Sequence, residues 1–308
     1  MNPRQLKLVA VLLGVAFLLY SPRFFRDDGA GGSLEVTDGF RFALTDPLTR
    51  IDIIQVAARD TIRLDRVAAG WTVDGFRADS LKVADLIPVL TNLGSDVLLA
   101  RNPSNHAAME VDERSGRRIE VYTEAGGPLA FKLGKRDLTA GGYYVRLPDA
   151  DPVFRLDGPA GGYLSRDREG WRVRLIAQVD TSAVRELVFS RDGQEVVVRR
   201  SDAGWMAGDS PADTSAVMGV LRMLPSIRAT GFPSEEDVVA ADFSAPQASL
   251  DVFAEDEGDV TGRRLVLSLR FIEDENAGDW LAREADGAEV YRLATFNINR
   301  LLPERLIP

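Results

Sequence analysis

Apolar and polar positions change period once within Ile51–Leu93. Ile51-Asp52-Ile53-Ile54-Gln55-Val56 and Thr61-Ile62-Arg63-Leu64 are strand segments of alternating character, joined by the polar turn Arg59-Asp60. Gly70-Trp71-Thr72-Val73 extends the meander by a third strand. Beyond Asp79 the spacing becomes helical. Val83, Leu86, Ile87, Leu90 and Leu93 fall at i, i+3, i+4, i+7 and i+10, which is one apolar helix face laid on a sheet. Asp79 has the chemistry of an N-cap, because its carboxylate can accept from free first-turn amides. Pro88, inside the helix, should bend it or end its regular part.

The same phrase returns at a constant spacing of 134 residues, with Ile62–Leu93 matching Val196–Ile227 without a gap. Gly70-Trp71 falls on Gly204-Trp205, and Ala78-Asp79 on Ala212-Asp213. The second apolar set is Val217, Val220, Leu221, Leu224 and Ile227, with Pro225 near its end. The stretch after each helix also repeats. Ile119–Tyr122 resembles Leu250–Phe253, and Phe131–Leu133 resembles Leu265–Leu267. Tyr144–Arg146 resembles Leu281–Arg283, and Val153–Leu156 resembles Val290–Leu293, with glycine-rich turns at Gly126-Gly127 and Gly141-Gly142. The fold class expected is α+β: an N-terminal membrane helix, then two tandem repeated α+β units, each an antiparallel meander plus one packed helix. The boundaries expected are a membrane anchor over 1–26, a linker and lead-in strand over 27–46, a first unit over 47–176 and a second over 177–308.

The anchor rests on Leu8–Pro22, which carries no charge between Lys7 and Arg23. Fifteen helical residues reach about 22 Å, short of a hydrocarbon core of about 30 Å. Snorkelling by Lys7 and Arg23, with Leu6, Phe24 and Phe25 extending the apolar run, makes spanning feasible. A cleaved signal peptide is the rival, but Gly29, Ala30 and Gly31 lie far beyond the apolar run. The expected membrane contact is therefore Leu6–Phe25. The expected location is the inner membrane, single-pass, with the bulk of the chain periplasmic.

Charge narrows the partners. The chain carries a net −10 over 308 residues, without a dense Lys/Arg stripe, which argues against nucleic acid. Cysteine is absent, so no disulfide, thiolate nucleophile or cysteine-based metal site is available.

The strand, the Gly-Trp turn, the Ala-Asp helix start, the hairpin Tyr143-Tyr144-Val145-Arg146 and Trp171-Arg172-Val173-Arg174-Leu175-Ile176 together resemble the domain of unknown function 4340 family. The resemblance covers Ile51–Leu293. It implies membrane-anchored, extracytoplasmic proteins, often encoded beside gliding-motility-type ABC transporter components, and it carries no catalytic residues over.

Residues that could bear chemistry are few. His106 is the only histidine, and no G-x-S-x-G elbow accompanies it, so a surface loop residue is expected there. Glu255-Asp256-Glu257-Gly258-Asp259 and Glu273-Asp274-Glu275 lack the spacing of a calcium loop and read as solvated tips. Leu133-Gly134-Lys135-Arg136 and Gly29-Ala30-Gly31 do not form a phosphate loop. Trp71 and Trp205, equivalent across the repeat, are expected as core anchors and not as a sugar platform. Arg146 and Arg155, flanked by Tyr144 and Phe154, are the candidates for an anionic partner. No catalytic, cofactor-binding or metal residue is assigned, no cofactor is expected, and the chain is expected not to be an enzyme. The leading expectation is a membrane-tethered interaction protein, accessory to an ABC-type transporter or envelope complex. A glycan- or peptide-binding module is the alternative, and a carboxylate-based hydrolase the third.

Overall fold

The computed structural model describes residues 32–35, 39–256, 262–274, 277–303 and 305–306. The chain forms two compact units, Met1–Trp171 and Arg172–Pro308.

In the first unit the strands are β1 (Gly32–Glu35), β2 (Phe40–Leu44), β3 (Leu48–Gln55), β4 (Asp60–Val67), β5 (Gly70–Val73) and β6 (Phe76–Arg77). Helix α1 (Ser80–Thr91) follows, then β7 (Asn92–Ser95), β8 (Leu98–Ala100) and the single turn α2 (His106–Met109). The unit closes with β9 (Arg117–Thr123), β10 (Gly126–Arg136), β11 (Tyr143–Arg146), β12 (Val153–Leu156), α3 (Ala160–Leu164) and α4 (Arg168–Trp171). Nine of these strands make one antiparallel sheet in the order β6-β5-β4-β3-β9-β10-β11-β12-β8. The strands β1, β2 and β7 form a separate small sheet.

The second unit contains β13 (Leu175–Ala177), β14 (Val184–Arg191), β15 (Gln194–Ser201), β16 (Gly204–Ala207), β17 (Ser210–Pro211), α5 (Thr214–Met223) and β18 (Ile227–Arg228). After α6 (Glu235–Ala240) come β19 (Ala248–Glu255), β20 (Arg263–Asp274), β21 (Asp279–Glu284), β22 (Tyr291–Ala294) and α7 (Thr295–Leu301). Its sheet has eight strands in the order β17-β16-β15-β14-β19-β20-β21-β22. Strand for strand this is the order of the first sheet from β6 to β12.

The expected α+β class is corrected by this result. Strand makes up 46% of the structure and helix 21%, so the units are mostly β, each built on one large antiparallel sheet. The strand candidates zip into continuous sheets because alternate residues are buried, as in β9 and β19. The helices are short covers on those sheets. One sequence pairing also shifts. Phe131 lies opposite Ile119, whereas Leu269, four residues beyond Leu265, lies opposite Leu250.

The expected single-pass inner-membrane location is likewise corrected. Among the described residues no helix is long and apolar enough to cross a membrane. The longest, α1, has 12 residues and reaches about 18 Å. Leu6–Phe25 lies outside the described residues.

The helix starts behave as the repeat suggests. The Asp79 side chain accepts from the Leu81 amide at 3.2 Å, and that of Asp213 from Ser215 and Ala216 at 2.8 and 3.1 Å. Just before each cap, Ala78 donates to the Trp71 carbonyl at 3.0 Å and Ala212 to that of Trp205 at 2.9 Å. Each cap residue's own amide donates at 2.8 Å to a carbonyl near its unit's end, Trp171 or Leu306. Val83, Leu86 and Leu90 are fully buried on the first sheet, each contributing about 1.5–3 kcal/mol. Helix α1 continues through Pro88 and stops three residues later.

Candidate functional site

Where β9 begins and β10 ends, the first sheet carries Arg117, Lys135 and Arg136. A cavity of about 380 Å³ opens there, lined by Gln55 at the end of β3, Ala57 and Ala58 from the β3–β4 turn, Glu110, Gly116, Arg117, Leu133, Gly134, Lys135, Arg136 and Tyr143. Its upper wall is the segment around α2, drawn tight onto the sheet. Glu110 takes a left-handed conformation at φ 57° to end that turn. Two glycines make the close approach feasible. A Cβ on Gly116 would meet the Glu110 carbonyl at 1.9 Å, and one on Gly134 the Met109 carbonyl at 2.2 Å.

Buried cations pin this wall from below. Lys132, 1% exposed, donates to the Asp112 carbonyl at 2.8 Å and to Glu113 at 2.7 Å. Arg146 donates to the carbonyls of Val111, Pro148 and Ala150 and to Glu113 at 3.0 Å. The hydrogen bond from Lys132, reinforced by Arg146, holds the Glu113 carboxyl below its ordinary range. His106 belongs to the same segment, with Nε2 2.8 Å from the Asp151 carbonyl oxygen. It is buried, at 8% exposure, and so is not the surface loop residue expected.

The cavity's own cations are different. Arg117, Lys135 and Arg136 make no ion pair among the described residues. Arg117 gives one hydrogen bond, to the Ser165 carbonyl at 3.0 Å, and its Nε is buried with no hydrogen-bond partner. Set against Glu110, the three cations leave the cavity with a net charge of +2. In a chain of net −10 that is a local reversal.

At the matching places the second unit carries different residues, and its own cavity of about 500 Å³ at the β14–β15 turn is lined by Arg191, Asp192 and Arg305. Arg117 lies opposite Gln55 and Leu133, the place of Ala248, which lies opposite Arg191 and Phe271. Arg136 lies opposite Tyr143, as Glu273 lies opposite Trp280. Lys135 belongs to a register shift between Leu133 and Arg136 in β10, and β20 pairs with β21 without one. The neighbouring Asp274 is engaged by Arg292 at 2.7 Å.

The other sequence candidates are accounted for within the fold. Arg146 is consumed by Glu113 and three carbonyls, and Arg155 pairs with Asp157 at 3.0 Å. Trp71 and Trp205 are half-buried and pack against their units' cores. Glu255 pairs with Arg185 at 2.5 Å, while residues 257–259 and Glu275 lie outside the described residues, as do Gly29–Gly31. A second cavity, about 360 Å³, carries one cation, Arg50, and one carboxylate, Asp65. There the Arg50 guanidinium lies 3.7 Å over the Tyr122 ring and 3.5 Å from Asp52. In the sequence, Gly134-Lys135-Arg136 fails the phosphate-loop test and shows no other signal. Only the bulge and the register with Arg117 bring its cations together.

The family model for a domain of unknown function, DUF4340, matches residues 71–246, more than half of the chain, with the tryptophans of both Gly-Trp repeats. The chain belongs to the domain of unknown function 4340 family. No curated protein matches it, and no solved structure does. The match begins at Trp71 and runs through both capped helices, so it takes in the cavity's strands β9 and β10 as well.

Proposed function

We propose that this member of the family is a non-enzymatic interaction protein, an accessory subunit of a transporter or envelope assembly. Its first unit holds an anionic group of the partner, and no catalytic step is its own. The observation that carries this reading is the convergence of Arg117, Lys135 and Arg136 on one cavity without an ion pair. Arg117 is half-buried and lacks the carboxylate that Lys132 and Arg146 find in Glu113, while Lys135 and Arg136 are exposed on the same cavity. Surplus positive charge in a cavity favours an anionic occupant.

Site-specific photo-crosslinking tests the reading. A photoreactive side chain at Ala57, exposed on the cavity rim, should capture one partner in the native cell. The same group at Asp192, in the corresponding turn of the second unit, should not. Equal capture at both positions, or none at Ala57, contradicts it.

A further inference from the structure

Resting on that reading, we infer that the anionic group is a dianion, a phosphate monoester. The cavity's net charge of +2 is neutralised by a phosphate ester's roughly −1.5 to −2, whereas a carboxylate would leave one cation unmatched. Two of the three cations are arginines, whose planar forks suit phosphate oxygens. At about 380 Å³ the space exceeds a lone phosphate, so the alcohol it esterifies has room beside Ala57 and Ala58. The single carboxylate in the lining, Glu110, is exposed and makes no ion pair with these cations, and it does not reverse the sign.

Calorimetric titration of the intact chain separates the outcomes. The ligands are glycerol 3-phosphate, a phosphoserine peptide, the same peptide with glutamate at that position, and sodium sulfate. Both phosphate esters should bind at least about tenfold tighter than the glutamate peptide. Their affinity should fall below about pH 6, where the second phosphate proton returns, while that of sulfate stays level. Arg136→Glu, which installs the second unit's residue, should abolish phosphate binding, and Lys135→Gln should weaken it roughly tenfold. The tighter of the two esters tells whether the group sits on a protein or a small molecule, and either order supports the dianion. Glutamate peptide binding as tightly as phosphoserine peptide overturns the dianion and leaves the anionic-partner reading standing. No binding by any ligand overturns both.

Discussion

At matching places in the two sheets, the first unit carries Arg117 and Arg136 where the second has Ala248 and Glu273. The apolar positions around them correspond throughout: Ile119 with Leu250, Phe131 with Leu269, Val145 with Ala282 and Phe154 with Tyr291. Burial binds these residues to the sheet, so the repeat keeps them apolar. Side chains at the strand ends are less constrained by burial, so they can differ in sign between the units. Divergence between two copies of one plan is therefore where function is most readily found.

Several changes break or sharpen that contrast. The largest effect is expected from Trp171→Ala, which removes a fully buried ring from the first unit's core. It should cost about 3–5 kcal/mol, read by hydrogen exchange in α1 and β9. Glu113→Gln should cost about 1–3 kcal/mol, because Lys132 and Arg146 stay buried and lose their carboxylate. A pH series checks the sign. The Glu113 carboxyl is depressed in the folded chain, so its contribution is present above the ordinary value of 4.5 and is lost as pH falls through the folded value. Acid melts of the variant should lack that part of the decline. The caps come next, at about 0.5–2 kcal/mol each. Asp213→Ala should cost more than Asp79→Ala, since Asp213 accepts from two amides and Asp79 from one. Smallest is Lys135→Gln, within about 0.5 kcal/mol in denaturant titration, because it breaks no ion pair of the fold.

Much of the frame is legible in the chain. Strands, caps and the helix faces follow from period and offset, because burial on one face writes itself into spacing. Weighing each strand alone misjudges the class, whereas pairing joins nine in one sheet and eight in the other. The cavity is out of reach for a different reason. Arg117 and Arg136 stand 19 positions apart and meet through register, and Lys135 is set there by a bulge. Nor can spacing show that Arg146 is held by Glu113 and three carbonyls, leaving it nothing to offer a partner.

The central claim is that the first unit holds an anion where the second does not. Backbone amide shifts during titration with inorganic phosphate test it most directly. The account predicts saturable shifts confined to Ala57, Ala58, Gly116, Arg117 and Gly134–Arg136, with Ala248, Ile272 and Glu273 unmoved. Shifts of equal size at both places, or none at the first, would contradict it.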